Sequence, residues 1–220
     1  MPTKLSARPA PKRLAPKCRA SKRLAPALLA LAAMLPLAAC DPGQPPLEQG
    51  ALWGSSIGGD FTLVDETGKT VHASDYDGKW KVVYFGYAYC PDVCPFDMQR
   101  LGQGLKLYAA EHPDLAKDLQ PLFITIDPER DTPEVLAEFT ANFSPDLIGL
   151  TGTPEQVKAA ADAYSVYFAK GEVNDNGGYM MDHSNAAYLM DPEGNPVALM
   201  PVDVKDQGQA VAAELAKWVR

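Results

Sequence analysis

Cys90 and Cys94 fall in the run Cys90-Pro91-Asp92-Val93-Cys94-Pro95, with three residues between them and a helical pattern directly after. Thiols at a helix N-terminus meet unpaired amides and the positive end of the helix dipole, which favours the thiolate. A thiolate is both a nucleophile and a soft metal ligand. The common redox motif has two intervening residues. The longer spacing here still closes as a disulfide, and it also lets both sulfurs point at one shared atom. Two thiolates alone under-coordinate a soft monovalent metal, so a third ligand is expected. Of the three histidines, His72 lies in an N-terminal hairpin pattern and His112 in a His-Pro turn, and both read as surface or packing residues. His183 differs, because Met181-Asp182-His183-Ser184 reads as a polar loop ahead of a strand. Two thiolates and an imidazole make a trigonal set suited to Cu(I), and the imidazole allows Cu(II) to be kept. Zinc in a closed structural site asks for a fourth protein ligand.

Asp127, Arg130 and Asp131 cluster after a buried strand, on the same edge as the cysteines. They read as an ion pair and helix cap bracing a loop, or as groups behind the ligands or at a docking surface. Met180 and Met181 put soft sulfur near His183 but read as packing. Tyr87 and Tyr89 are expected to wall the site.

The elements around these residues follow from periodicity. Phe61–Val64 and Thr70–His72 flank a turn and read as a hairpin. Lys81–Tyr87 and Pro121–Ile126 are short β-branched and aromatic runs of the kind that form buried central strands. Met98, Leu101, Leu105 and Tyr108 recur at helical spacing. Thr132-Pro133 and Thr153-Pro154-Glu155-Gln156 open two more helices, the second with the spacing of a capping box. Asn185–Met190 and Pro196–Pro201 read as a late hairpin, and Val211, Leu215 and Trp218 mark a last helix. The order is hairpin, β, α, β, α, short β, α, β, β, α. It predicts an α/β domain with parallel strands and an antiparallel edge. The cysteine turn then lies at the carboxyl edge of the sheet, where sites in such folds gather.

Charge is segregated along the chain. The net charge is −8, but eight of the 20 basic residues fall in 1–39 with no acidic one, leaving 12 basic against 28 acidic side chains beyond. So acidic a remainder excludes nucleic-acid binding through a basic face. The basic start precedes an apolar stretch, Leu24 to Ala39, in the order of a secretory signal, too short and too broken by Pro26 and Pro36 to span a membrane well. Leu37-Ala38-Ala39-Cys40 matches the bacterial lipobox, so Cys40 is expected to carry lipid. Asp41 resembles a signal for retention at the inner membrane, facing the periplasm. The expected domains are a lipoprotein signal over 1–39, a flexible tether over 40–59 rich in Pro, Gly and Gln, and a folded domain over 60–220. Cys90 and Cys94 are then the two thiols left in an oxidising compartment.

Together, the cysteine run, Asp127-Pro128-Glu129-Arg130-Asp131-Thr132-Pro133, Gly149-Leu150-Thr151-Gly152-Thr153, Asp182-His183-Ser184 and Tyr188-Leu189-Met190-Asp191-Pro192-Glu193-Gly194 resemble the Sco/SenC family, in order from about Gly58 to Arg220. The resemblance implies a thioredoxin-like fold, with an N-terminal β-hairpin and a central mixed sheet flanked by helices. It implies one copper, Cu(I) or Cu(II), on Cys90, Cys94 and His183, and a redox-active Cys90–Cys94 pair. It implies delivery of copper to the dinuclear copper A site of cytochrome c oxidase. The expected partners are the copper A-bearing subunit, other copper chaperones and thioredoxin-like reductants. Phe96-Asp97 departs from the small polar residues common there in the family, which bears on partner docking. A rival reading is a thiol–disulfide oxidoreductase with Cys90 as nucleophile and Cys94 resolving. A peroxidase is disfavoured, because Tyr87 stands where a Thr is usual, and a redox or copper sensor would need a partner not named by the sequence.

The lipid assignment is tested by Cys40→Ser, which should release the protein from the membrane or leave an uncleaved precursor. Unaltered protein in the soluble periplasm, lipid-free by mass spectrometry, would refute it.

Overall fold

In the computed structural model of the chain, residues 43–220 are described. The signal at 1–39 and the lipidation site Cys40 lie outside them. The element order is β1 (Thr62–Asp65), β2 (Thr70–His72), β3 (Trp80–Gly86), α1 (Val93–Glu111), β4 (Leu119–Thr125), α2 (Pro133–Thr140), β5 (Ile148–Thr151), α3 (Pro154–Ala163), β6 (Phe168–Lys170), β7 (Met181–His183), β8 (Ala187–Met190), β9 (Pro196–Met200) and α4 (Gln209–Trp218). Seven strands form one sheet in the order β2-β1-β5-β4-β3-β8-β9, and β6 pairs with β7 apart from it. β3 runs parallel to β4 and antiparallel to β8, and β4 runs parallel to β5. This is a central mixed sheet with flanking helices, as the sequence pattern predicts.

The unbroken apolar run of β3 follows from its position. Every residue from Trp80 to Gly86 is buried, because the sheet is covered on both faces and alternation has nothing to respond to. Helices α2 and α3 are started by their own side chains. Thr132 accepts the Val135 amide ahead of Pro133, and Thr153 and Gln156 form a reciprocal capping box at α3, each satisfying amides that the first turn leaves unpaired.

α1 packs along α4 at close range. A Cβ on Gly104 would stand 2.4 Å from Val211 Cγ1 and 2.9 Å from the Gly208 carbonyl oxygen, so the approach exists only because position 104 has no side chain. It holds α1, and the cysteine turn at its start, at a fixed depth.

Two expectations are corrected. The segment expected as a free tether is packed on the domain from Gly43 onward. Leu47, Leu52 and Ile57 lie against the core, the Leu52 amide bonds the Val197 carbonyl on the outer edge of β9 at 3.1 Å, and the Gln44 amide donates to the Ala216 and Val219 carbonyls. Isolated apolar side chains, too sparse to give a period, do this packing. His183 is not in a loop before a strand but is the last residue of β7, paired with Phe168.

Gly104→Ala should destabilise the fold by about 1–3 kcal/mol, although Ala is the better helix former by ~1 kcal/mol. Chemical denaturation checks it, and Val211→Ala should be less costly in the Gly104→Ala background than in the parent. Additive effects would contradict this packing.

Candidate functional site

β3 ends at Gly86, and the chain then turns through Tyr87, Ala88 and Tyr89 into the two cysteines. Cys94, fully buried, sits in the first turn of α1, while Cys90 is half-buried and both thiols are free. A Cβ on Gly86 would stand 3.1 Å from Cys94 Sγ and 2.8 Å from Tyr84 Cε1, so the bare Cα leaves the space in which the sulfur lies. Asp92, at the N-cap of α1, makes no side-chain cap bond. Cys90 Sγ takes that place by accepting the Cys94 amide at 3.4 Å. A helix amide capped by sulfur favours the anionic form of that sulfur.

His183 enters from the β6–β7 hairpin. Its Nε2 lies 3.7 Å from Cys94 Sγ, its Nδ1 lies 2.9 Å from the Ser184 carbonyl oxygen, and its ring meets Tyr87 edge-on with centroids 5.9 Å apart. The Ser184 carbonyl accepts from Nδ1–H, which leaves Nε2 with its lone pair toward the sulfurs. With metal–sulfur and metal–nitrogen bonds of ~2.0–2.3 Å, a trigonal centre holds its ligands about 3.7 Å apart, so the Cys94–His183 separation suits one shared ion. Among the described residues, no three His, Cys, Asp or Glu side chains already form a closed metal cage. The half-buried Cys90 is the candidate donor left to adjust.

The two thiols are driven apart in acidity. The Cys90 pKa is pulled well below the usual thiol range, chiefly by the bond from the Cys94 thiol, with the Asp92 and Cys94 amides helping against burial. Cys94 is pushed up, chiefly because its proton is held by Cys90 and also by burial. The first proton lost from the pair therefore leaves an anion at Cys90, on the accessible side.

Asp127, Arg130 and Asp131 are brought beside this site. The buried Asp131 accepts from the Ala88 amide at 2.9 Å and the Thr125 hydroxyl at 2.6 Å, fixing the turn ahead of Cys90. Burial raises its pKa to about 6. Arg130 is paired with Asp127 and lies over the rings of Tyr179, Tyr89 and Tyr87 at 3.7, 5.2 and 5.7 Å. Tyr89 and Met180 are about half exposed at the rim, and Met180 Sδ accepts from the Tyr87 hydroxyl at 3.9 Å. His72 and His112 stand apart, against Thr62 Oγ1 and the Tyr108 ring.

Sequence reasoning missed Tyr84. Its hydroxyl donates to Asp97 Oδ2 at 3.0 Å and adjoins the Cys94 thiol. Asp97 is buried and also holds Arg100 at 3.2 Å, so it is not free for docking, whereas Phe96 is exposed. The signal available was the position of Asp97 one turn beyond Cys94, next to the apolar Met98.

Fold and site together define a thioredoxin-like domain whose cysteine turn is faced by a histidine from an added hairpin. The chain belongs to the SCO1/SenC family, whose model matches residues 50–220. It is 49% identical over 139 residues to Protein SenC of Rhodobacter capsulatus, covering 63% of this chain and 61% of that protein. The copper-bound structure of Arabidopsis thaliana ScoI is similar at TM-score 0.65 and 37% identity, over 73% of this chain and 97% of that one. The copper-bound structure of Bradyrhizobium japonicum ScoI is similar at TM-score 0.66 and 35% identity, over 74% and 99%. The chain spans about half the length of the other curated relatives it matches.

In the metal-free protein, Cys90 should alkylate with iodoacetamide at a rate that stays high well below the pH at which an ordinary thiol loses its thiolate, because its pKa is lowered. Cys90→Ser should leave Cys94 almost inert at pH 7. Mass spectrometry of the labelled peptides reads both, and a Cys90 rate that rises tenfold per pH unit from 5 to 8 would contradict the assignment.

Proposed function

We propose that this protein is a copper metallochaperone, holding one copper per chain through Cys90, Cys94 and His183 and delivering it to the dinuclear copper A site of cytochrome c oxidase. The observation that carries the reading is the 3.7 Å approach of His183 Nε2 to Cys94 Sγ, at a turn where Cys90 is an accessible thiolate. A dithiol acting only as a reductant does not need that imidazole. Two similar proteins, the ScoI structures, have copper bound, which supports copper binding here. Copper is cargo in this reading. A soft thiolate pair binds Cu(I), the imidazole extends the range to Cu(II), and three ligands from two separate segments permit release by stepwise ligand exchange.

The setting follows the same reading. Lipid on Cys40 holds the protein at the bacterial inner membrane, facing the periplasm, where its partner is the copper A-bearing subunit. The strongly acidic domain favours a basic face on that partner and salt-sensitive association. Other copper chaperones or thioredoxin-like proteins would load or reduce it.

A second reading is kept by the unequal thiols: an accessible low-pKa Cys90 above a buried Cys94 is the arrangement of an attacking and a resolving cysteine. In that case the protein reduces the copper-site cysteines of the oxidase subunit, and the metal is incidental.

Copper analysis and complementation with three single variants separate the two. Cys90→Ser or Cys94→Ser should abolish Cu(I) retention, while His183→Ala should weaken Cu(II) by at least about tenfold. Under the chaperone reading all three variants lose oxidase assembly. A His183→Ala protein that still supports assembly would overturn it in favour of the reductase.

A further inference from the structure

The hairpin that carries His183 is weakly founded on its own. β6 and β7 pair only with each other, and a lone two-stranded ribbon is marginal in water. The connection from Glu172 to Gly177 is exposed throughout. Beneath the hairpin lies a cavity of about 150 Å³ lined by Ile126, Asp127, Pro154, Val157, Phe168 and Met181, so the apolar contact under it is incomplete.

What seats the hairpin is a set of polar and aromatic contacts to the loop between β4 and α2. Tyr179 donates its hydroxyl to Asp127 Oδ1 at 2.8 Å. Lys170 bonds Glu129 at 2.5 Å and lies 4.0 Å over the Tyr179 ring. At the centre is Arg130. Its Nε pairs with Asp127, its Nη1 donates to the Tyr179 carbonyl oxygen at 3.0 Å, and its plane covers the Tyr179 ring at 3.7 Å. The same guanidinium also lies 5.7 Å from the centre of the Tyr87 ring, the residue whose ring meets His183 edge-on and whose hydroxyl accepts the Met181 amide at 3.4 Å. One cation thus touches both the connecting segment of the hairpin, just before β7, and the wall against which His183 rests. Nη2 is buried without a partner, so the contacts that are made, rather than full satisfaction of the donors, set the plane of the group.

We propose that Arg130 is a positioning residue for the third ligand, acting with Asp127 and Tyr179 as a latch that holds the β6–β7 hairpin in place and so keeps His183 over the dithiol. The inference deepens the copper reading above, and its copper arm rests on that reading. The role is specific to a flat, forked cation: a lysine would restore the charge opposite Asp127 but could not stack on Tyr179 and bond its carbonyl at once.

The test is Arg130→Gln in the full chain, with two readouts. In the metal-free protein, nuclear Overhauser contacts between the Tyr87 and His183 rings should be lost or strongly reduced. With copper, Cu(II) affinity should fall about tenfold, the scale expected of a group that orients a ligand, while Cu(I) retention, carried by the thiolates, stays in place. Arg130→Lys should behave like Arg130→Gln. Tyr179→Leu, at a half-exposed hairpin position, repeats the test if Arg130→Gln does not fold. A variant that lowers the melting temperature but leaves the Tyr87–His183 contact intact would overturn the proposal and reduce Arg130 to a loop brace. If the parent protein retains no copper the chaperone reading fails, and the ring contact alone decides the latch.

Discussion

The site is built around the Cys94 sulfur lying against the bare Cα of Gly86. β3 is clamped between β4 and β8, so Gly86 cannot move without tearing the middle of the sheet. α1 cannot retreat either, because Gly104 locks it to α4. With strand and helix both fixed, the sulfur between them has one position, and any side chain at 86 would have to displace it or the Tyr84 ring. Close-packed interiors do not absorb such a displacement smoothly. The remaining groups are arranged by reference to this fixed atom.

The three candidate donors accordingly differ in freedom. Cys94 is immobile, held in the core beside Tyr84 and Asp97. Cys90 is half-buried and takes the place of a helix cap, so its anion is stabilised by amides that would otherwise face water. His183 belongs to a ribbon outside the main sheet and keeps its place through contacts with another loop. A graded set of this kind suits transfer better than storage, since a donor held by a weakly founded element can leave before the others. The same arrangement makes the first-formed thiolate the outermost one, where a partner can reach it.

Most of the fold was legible because burial leaves a plain imprint: β3 and β4 read as central strands from unbroken apolar runs, and α2 and α3 announced themselves by Thr-Pro starts. The cysteine turn was legible for the same reason, standing where a buried strand meets a helical period. β6 and β7 were not, since three-residue strands separated by Gly171, Asn174, Gly177 and Gly178 leave no alternation to detect. The sequence therefore put His183 opposite the cysteine turn, where its ring does approach Cys94, while its element was misread. Arg130 and Asp127 were visible as a charged cluster, but their aromatic partners Tyr179 and Tyr87 lie far off in sequence or across the sheet edge. Tyr84 gave no sign of its hydroxyl contact, because within a buried run an aromatic residue reads as packing alone.

The packed segment from Gly43 changes how the domain would meet a membrane. Gln44 is already bonded to the carboxyl end of α4, so only three residues lie between that point and Cys40, four steps along the chain with a reach of at most about 14 Å. A lipid on Cys40 would then moor the domain as a ship on a short line, its body against the headgroups and its attitude confined to a narrow range. Were Cys40 so moored, the height of the cysteine turn above the bilayer would be set by the fold itself.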